Sequence, residues 1–417
     1  MRGSAPMFAL VFPCLVLACG LPAADSRSEN EGHHTSELVT GPIYKPTIVG
    51  PWRTLFEPTS PGPGHYMNDH TLFKGADGKW RIVGINGSGP PQPNSPRPEV
   101  AFASGVSNAL FGPYTQNAPV ARYCDAIVNN EEVFDPSCVT TCTGACAGHP
   151  VGAVAPHAVQ ANGVTYLFFA SGVPGHTLGL LTSTDSGATW TPRFDATIDS
   201  WPNPGRDPMV LLVGSTYYMY ITTLYNGRSA IAYATSTDLL HWTLRGTAWT
   251  TSGTATEVSW SAAESPFVVK VGDYYYLSTT LTDSAIEYHQ TLVFRSKDPT
   301  NFGDYSGNKF DPAGSNFVTE LPVHAPEFVQ DPATSKWYIT TCGWEGSSIY
   351  PEAHHGVAIA EIEWQPVAPK PVQPHDVPRN GLQMWLAFDN DGVLWLLAGG
   401  MRSSALVSHA IALGLLS

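Results

Sequence analysis

The chain has 417 residues, of which 35 are Asp or Glu and 21 are Lys or Arg, so its formal net charge is −14. This acidic balance offers no basic surface to phosphates or anionic lipid headgroups, which excludes nucleic acid as an expected partner. Because β-rich folds of well over about 200 residues can form a single domain, the length is compatible with one large domain and tails.

Residues 1–19 are predicted to be a signal peptide. Arg2 precedes an apolar run, Phe8 to Ala18, which has signal-peptide length and is too short to span a membrane. The segment VLACG, which contains Cys19, resembles the cleavage box of bacterial lipoproteins. We therefore expect either a secreted protein or a cell-surface lipoprotein whose membrane contact is the lipid anchor. Residues 20–45 are predicted to form a polar tether.

Four of the seven cysteines lie in one predicted insertion. An even number of cysteines in an exported chain favours two disulfides, and the sequence leaves the pairing of Cys124, Cys138, Cys142 and Cys146 open. Metal binding is the alternative, but their spacing is not a usual zinc pattern. Cys342, in the strand-like segment KWYITTC, is predicted to be a packed core thiol.

A hairpin pattern recurs five times along the chain. Each copy has a short apolar segment, a polar or Gly turn and a second segment rich in Tyr, Phe, Trp and Val. These second segments read GKWRIVGI, GVTYLFFA, GSTYYMYI, GDYYYLST and SKWYITTC. Further strands complete several copies and no helical periodicity interrupts them. The sequence therefore predicts an all-β fold, a five-bladed β-propeller of four-stranded antiparallel blades. A two-sheet sandwich gives no reason for this recurrence.

The predicted propeller spans residues 46–366. A Pro-rich linker follows at residues 367–380, and residues 381–417 form a C-terminal tail of unknown structure. The segment STDSGATW (183–190) matches the Asp-box turn of sialidases and related propellers, and STDLLHW (236–242) resembles it more loosely. This turn connects outer strands, so it indicates the architecture and not the chemistry.

The strand starts of a propeller meet at one mouth of its central channel. Aligning the five copies on their apolar segments places one column at Asp69, Pro156, Asp207, Ser265 and Ala325, preceded by Asn68, Ala155, Arg206, Glu264 and His324. Asp69, Asp207 and Glu264 are therefore predicted to share a pocket. Crowded carboxyl groups acquire different pKa values, so that one holds a proton while another stays ionised, which suits glycoside hydrolysis. For any single acid, a turn cap or an ion pair is the alternative.

Three segments resemble the signature motifs of five-bladed β-propeller glycoside hydrolases, which include the β-fructosidases of families 32 and 68 and the arabinosidases and xylosidases of family 43. YMNDHTLF resembles the Asn-Asp-Pro motif, GRDPMV the Arg-Asp-Pro motif, and AESPFVV the Glu-Cys-Pro or Glu-Gly-Pro motif. The resemblance implies that Asp69 is the nucleophile or general base. It implies that Asp207 stabilises the transition state or tunes the acid, and that Glu264 is the general acid.

The chain departs from these motifs at three points. His70 stands where the family has proline, the Asn-Gly that follows in the family is absent, and Ser265 stands where β-fructosidases have cysteine. These departures leave the substrate class more open than the acids. The resemblance implies a furanoside or pentoside of fructosyl, arabinosyl or xylosyl type. Carboxyl separations of about 5 Å and of about 6.5 to 9.5 Å would indicate retention and inversion, respectively.

Other residues are candidates for binding an oligo- or polysaccharide. Arg206 is positioned to hydrogen-bond a sugar hydroxyl, and flat indole rings stack on sugar faces. The full set of candidates is Asn68, Arg206, His157, His324, Trp201, Trp260 and Trp344. For the two histidines, a structural hydrogen-bonding role is the alternative. No cofactor is expected. An axial histidine helps to bind a metal in some family 43 members, so the resemblance is compatible with a structural calcium in the channel.

Three other functions are weighed against a glycosidase. A non-catalytic carbohydrate-binding propeller would keep the aromatic residues without requiring the acids. A sialidase-like enzyme would need an arginine cluster for the substrate carboxylate and a Tyr-Glu pair. A phosphorylase would need a basic phosphate pocket, which the scarcity of Lys and Arg disfavours.

Overall fold

A computed structural model describes a chain built of β-strands. The described residues are 43–59, 65–88, 102–118, 120, 127–128, 131–132, 154–171, 177–193, 195–202, 205–251, 263–281, 290–305, 316–342, 356–367, 383–388 and 394–399. Within these ranges every regular element is a strand, and none is a helix of the length and apolar character needed to cross a bilayer.

The described strands are numbered here in chain order. In chain order they are β1 (Tyr44–Ile48), β2 (Arg53–Phe56), β3 (His65–Lys74), β4 (Trp80–Ser88), β5 (Phe102–Ser107), β6 (Thr115–Gln116), β7 (Ile127–Val128), β8 (Glu131–Glu132), β9 (Val154–Ala161), β10 (Val164–Ser171), β11 (Thr177–Ser183), β12 (Thr191–Pro192), β13 (Thr197–Ile198), β14 (Gly205–Val213), β15 (Thr216–Tyr225), β16 (Arg228–Ser236), β17 (His241–Thr251), β18 (Glu264–Val271), β19 (Tyr274–Leu281), β20 (Gln290–Ser296), β21 (Asp304–Tyr305), β22 (Phe317–Leu321), β23 (Phe328–Gln330), β24 (Trp337–Cys342), β25 (Val357–Pro366), β26 (Gln383–Phe388) and β27 (Leu394–Gly399).

These strands form the five blades of a β-propeller, as the hairpin repeat predicts. Blade I consists of β3 to β6, blade II of β9 to β12, blade III of β14 to β17, blade IV of β18, β19, β20 and β22, and blade V of β23, β24, β25 and β1. Neighbouring strands in each of these blades are antiparallel, while the short strands β13 and β21 add to β17 in parallel. Two separate hairpins, β7 with β8 and β26 with β27, complete the described strands.

The ring is closed by the N-terminal strands. β1 pairs with β25 from Tyr44 opposite Pro366 to Ile48 opposite Ile362, and β2 pairs with the same strand. Blade V therefore combines both ends of the propeller sequence, which ties them together. The hairpin repeat did not reveal this closure, because β1 lies outside any repeat and begins within the predicted tether.

Five apolar clusters fill the spaces between adjacent blades, one for each pair. Between blades II and III, Phe168 packs edge-to-face on Trp242 with ring centroids 5.6 Å apart. Between blades III and IV, Trp249 packs on Phe294 at 5.2 Å. Fully burying one large apolar side chain contributes about 1.5 to 3 kcal/mol, so these interfaces hold the ring together.

The Asp-box turn in blade II has the expected structural role. The Asp185 carboxylate accepts hydrogen bonds from the backbone N–H groups of Ala188 and Thr189 and from the hydroxyl groups of Ser183 and Thr189. Trp190, at the end of the segment, packs edge-to-face on Phe73 of blade I at 6.5 Å. The motif therefore fixes an outer turn and its contact with the neighbouring blade.

Several sequence predictions concern residues outside the described ranges. They include the signal peptide, most of the tether and linker, and Cys124, Cys138, Cys142 and Cys146. Cys342 is described, and it is buried in the core between blades V and I with 1% of its surface exposed. Its predicted packing is confirmed.

Candidate active site

The innermost strand of each blade carries the same β-bulge near its start. In blade III, Arg206 pairs with Thr222 and Met209 with Tyr220, so that two residues of β14 oppose one residue of β15. In the other blades, the paired residues that flank the bulge are Met67 and His70 (blade I), Val154 and His157 (blade II), and Glu264 and Phe267 (blade IV). In blade V, backbone hydrogen bonds identify His324 and Glu327 as the flanking residues. A bulge bends its strand and redirects side chains, and bulges are common beside active sites.

Each bulge contains a first and a second bulge residue. The first residues are Asn68, Ala155, Asp207, Ser265 and Ala325, and the second are Asp69, Pro156, Pro208, Pro266 and Pro326. Blades II to V thus share proline at the second position, whereas blade I has an aspartate. The column predicted from the sequence, in which Asp69 and Pro156 align with Asp207, is wrong by one residue in blades I and II, because apolar segments do not reveal where the extra residue lies.

The backbone excludes proline from the first bulge position in blades II to V. The first bulge residues Ala155, Asp207, Ser265 and Ala325 have φ values of 51°, 56°, 51° and 44°. Proline is locked near φ −65° and cannot occupy such a position. A left-handed conformation is uncommon for residues other than glycine, and the surrounding structure must maintain it.

The three predicted acids are brought together at this mouth by the bulges. The Ser265 hydroxyl donates to Asp69 Oδ1 at 2.7 Å, and the Ser265 backbone N–H donates to Asp207 Oδ2 at 3.1 Å. Arg206 Nη1 lies 3.0 Å from Asp207 Oδ2, and Arg206 Nη2 lies 2.5 Å from Glu264 Oε2. Carboxyl groups from blades I, III and IV therefore form one connected cluster.

The cluster gives its carboxyl groups different proton affinities. Burial raises the pKa of Asp69 to about 7, and the nearby Asp207 and Glu264 carboxylates add to the rise. Burial also acts to raise the pKa of Glu264, but Arg206 and then His324 outweigh it, so the pKa of Glu264 is lowered. In this cluster, a proton therefore resides more readily on Asp69 than on Glu264.

Arg206 and His324 surround Glu264 from two blades. Burial alone would lower the pKa of Arg206, but Asp207 and Glu264 raise it, so its guanidinium stays charged. His324 Nε2 lies 3.8 Å from Glu264 Oε1, and its Nδ1 lies 3.8 Å from the Cys342 sulfur. Cys342 also donates to Asn68 Oδ1 at 3.5 Å, which connects Asn68 to the same mouth.

A second layer of side chains lies just beyond the bulges. Its five members are His70, His157, Met209, Phe267 and Glu327, and all of them line the cavity with Asp69 and the bulge residues of blades II to V. Glu327 Oε2 accepts the Leu72 backbone N–H at 2.7 Å, and Glu327 Oε1 lies 3.4 Å from His157 Nδ1. The His157 Nε2 atom lies 3.2 Å from the Val210 carbonyl oxygen. His157 is therefore placed in the channel interior, away from the direct contacts among the acids.

His70 lies in this layer and bonds to Thr340. Its Nε2 is 2.7 Å from Thr340 Oγ1. Burial lowers the pKa of His70 to about 4, because Glu327 offsets the desolvation only in part. The sequence analysis identified His70 only as the residue that replaces the proline of the family motif, and it did not predict Glu327. Glu327 occupies the repeat position that His157 occupies in blade II, and this equivalence was an available signal.

The structure describes one of the three tryptophans that were predicted to stack on sugar rings. Trp201 is half-buried and packs on the apolar cluster between blades II and III. Its ring also lies against Gly205, where a Cβ would stand 2.6 Å from the indole Nε1. Trp260 and Trp344 lie outside the described residues.

A structural calcium in the channel stays a prediction. Among the described residues, no group of three or more His, Cys, Asp and Glu side chains is arranged to hold a metal ion. Calcium takes six to eight oxygen ligands, whereas His157 and His324 present ring nitrogens near carboxylates.

The fold, the acidic cluster and the order of the three motifs together define a five-bladed propeller glycoside hydrolase. The family model described as glycosyl hydrolases family 43 matches residues 145–367. This match covers more than half of the 417 residues, and the chain belongs to that family. The comparison with curated protein sequences gave no match.

Solved structures of glycoside hydrolases are similar to the chain. A family 117 glycoside hydrolase of Zobellia galactanivorans has a TM-score of 0.49 and 10% identity over 77% of this chain and 90% of that one. The family 32 β-fructofuranosidase of Bombyx mori has a TM-score of 0.48 and 14% identity over 83% and 70%. A family 43 enzyme of Xanthomonas citri in complex with xylose has a TM-score of 0.47 and 13% identity over 84% and 93%.

Proposed function

We propose that the enzyme hydrolyses the glycosidic bonds of a furanoside or pentoside in an oligo- or polysaccharide, with Asp69, Asp207 and Glu264 as its catalytic carboxyl groups. The observation that carries the proposal is the linkage of these acids, from three blades, through Arg206 and Ser265 at one mouth of the channel. Family membership supports glycosidase chemistry, and the three motifs support the sugar class.

In this proposal Asp69 is the nucleophile or general base and Glu264 is the general acid, so Asp69 must lose a proton and Glu264 must gain one. The contacts within the cluster favour the opposite distribution. Coupled carboxyl groups titrate as a unit, so a change at one alters the other. When a sugar hydroxyl accepts the Arg206 hydrogen bond, Glu264 loses the cation that lowers its pKa, and the proton held by Asp69 can pass to Glu264.

In this proposal Asp207 has two roles, because it contacts Arg206 and it stabilises the transition state. Its Oδ2 receives both the Arg206 guanidinium and the Ser265 backbone N–H, which fixes its orientation. A carboxylate held in this way is suited to stabilise the positive charge that develops on the sugar ring. A transient turn of Arg206 toward the sugar leaves Asp207 supported by Ser265.

The carboxyl cluster favours the enzyme over a non-catalytic carbohydrate-binding propeller. Withdrawing several carboxyl groups from water opposes folding, and sugar binding alone does not require it. Phosphorolysis would need cations available for a phosphate, whereas Arg206 is held by Asp207 and Glu264. Sialidase chemistry would need an arginine cluster, and the single arginine in this cluster is engaged by the acids.

A substrate screen with a matched pair of variants tests the proposal. Fructans, arabinans, xylo-oligosaccharides and algal galactans are incubated with the wild type, with Glu264→Gln and with Glu320→Gln, the same exchange at an exposed site on the outer strand of blade IV. We expect the wild type to release sugar from at least one furanoside or pentoside. Glu264→Gln should lower turnover about a thousandfold or more while ligand binding persists.

The control Glu320→Gln should match the wild type. Release of no sugar from any substrate, together with unchanged sugar binding by Glu264→Gln, would favour the carbohydrate-binding propeller instead. Export as a secreted protein or lipoprotein stays a prediction from residues 1–19.

A further inference from the structure

Ser265 contacts the carboxyl groups of two other blades at once. Its hydroxyl donates to Asp69 Oδ1 of blade I at 2.7 Å, and its backbone N–H donates to Asp207 Oδ2 of blade III at 3.1 Å. The residue is 9% exposed and directly follows Glu264 in blade IV. One residue thus touches two of the proposed catalytic carboxyl groups and is covalently next to the third.

We infer that Ser265 is a positioning residue whose hydroxyl orients Asp69 and sets the pH at which that carboxyl group ionises, while its backbone N–H holds Asp207. This inference rests on the proposed function and deepens it, because it assigns a role to the residue at which the chain departs from the cysteine of the β-fructosidase motif.

The hydroxyl acts where Asp69 most needs support. Asp69 is half-buried beside two other carboxyl groups, an environment that disfavours its ionised form. A hydroxyl donor stabilises a carboxylate more than a neutral carboxyl group. The Ser265 hydrogen bond accordingly acts to lower the pKa of Asp69, against burial and the charges of Asp207 and Glu264. It keeps Asp69 available as a nucleophile or base.

The backbone of Ser265 distinguishes the role of its hydroxyl from a structural role. Ser265 has φ 51°, a conformation that glycine adopts without steric cost. Ala155 and Ala325 occupy the same first bulge position in blades II and V at φ 51° and 44°. A hydroxyl is therefore not required to form the bulge, and Ser265 adds a donor to a backbone geometry that alanine also supports.

The test compares Ser265→Gly with Ala155→Gly. Both replace the first bulge residue by glycine, but Ser265→Gly also removes the hydroxyl and keeps the N–H group that faces Asp207. The first readout needs no substrate: the titration of the Asp69 carboxyl band, identified by difference infrared spectroscopy against Asp69→Asn. The second readout is kcat/KM as a function of pH on a substrate found in the screen.

We expect Ser265→Gly to raise the Asp69 midpoint by about one pH unit, as the loss of one charge-assisted hydrogen bond predicts. The acidic limb of the kcat/KM profile should move upward equally, so that kcat/KM falls about tenfold below the midpoint and approaches the wild type above it. Ala155→Gly should leave both readouts unchanged. Ser265→Ala, which retains a Cβ, should reproduce the shift if Ser265→Gly folds poorly.

An unshifted Asp69 titration in both Ser265 variants would overturn the inference, as would an equal shift in Ala155→Gly. A shifted titration in a protein that hydrolyses no glycoside would support the role of Ser265 in Asp69 ionisation and would contradict the proposed function. The two failures are therefore distinguishable.

Discussion

Blade I and the other four blades use the same bulge for different purposes. Blades II to V place proline at the second bulge position, and blade I places Asp69 there. A bulge residue lies outside the regular ladder, so a proline that lacks an N–H group is tolerated at this position. Exchange of that proline for an aspartate therefore introduces a carboxyl group without removing a strand hydrogen bond. The proposed catalytic carboxyl group is therefore added at a position where the repeat requires only a backbone conformation.

Asp69→Asn removes the carboxyl group that distinguishes blade I from the other blades, and it should have the largest effect. We expect kcat/KM to fall about a thousandfold or more, because an amide is neither a nucleophile nor a base. Pro208→Ala, at the same bulge position in blade III, is the control and should change stability by about 1 kcal/mol with little loss of activity. Steady-state kinetics and urea unfolding measure both. Near-normal turnover by Asp69→Asn would show that blade I does not supply the catalytic carboxyl group.

Arg206→Met tests the cluster that blades III and IV contribute. Its side chain is 11% exposed, and its loss leaves the Asp207 and Glu264 carboxylates buried without their cation. We expect the free energy of unfolding at pH 7 to fall by about 3 to 5 kcal/mol, with partial recovery at lower pH. Arg193→Met removes a more exposed partner of Asp195 and should cost at most about 1 kcal/mol. Equal losses in the two variants in urea unfolding would contradict the role of the cluster.

His70 and Asp69, neighbours in blade I, should affect stability with opposite dependence on pH. The pKa of His70 falls from 6.5 to about 4 on folding, so the unfolded chain binds an extra proton between those values. The free energy of unfolding should therefore fall by up to about 3 kcal/mol as the pH drops through that window. The pKa of Asp69 rises from 3.8 to about 7, so the folded chain retains a proton and stability falls as the pH rises.

Variants at the two positions separate these contributions. His70→Asn should flatten the rise in stability between pH 4 and pH 6.5, whereas Asp69→Asn should steepen it. Glu327 and His324 are the charged or titratable groups that act on His70 besides burial, and they are retained in both variants. Urea unfolding across pH measures the slopes. Parallel curves for His70→Asn and the wild type would contradict the lowered pKa.

Ala325→Gly should have the smallest effect and sharpens the comparison among blades. Relief of the left-handed conformation favours folding by about 1 to 2 kcal/mol, and the greater flexibility of glycine opposes it by about 0.5 to 1 kcal/mol. We expect a net stabilisation between about 0 and 1.5 kcal/mol, with unchanged kcat/KM. A marked loss of activity would mean that a blade with alanine at its first bulge position also shapes the site.

The repeat predicted the fold because each blade follows the same local rules. Five recurring aromatic hairpins predicted the number of blades, and the order of the motifs predicted Asp69, Asp207, Glu264 and Arg206 as neighbours. The alignment failed by one residue in blades I and II, since a bulge is defined by pairing with the adjacent strand. Closure by β1 was missed for the same reason, because its partner β25 lies more than 300 residues away.

The sequence by itself determined an all-β propeller of five blades and the acids at its mouth, because alternation, turns and repeats are local properties of the chain. Only the tertiary structure decided which atoms meet: Ser265 with Asp69 and Asp207, Arg206 with Glu264, and Glu327 with His157. These contacts join different blades, and proton affinities depend on burial and on charges brought in from distant parts of the chain. The chemistry of the site therefore arises when the ring closes.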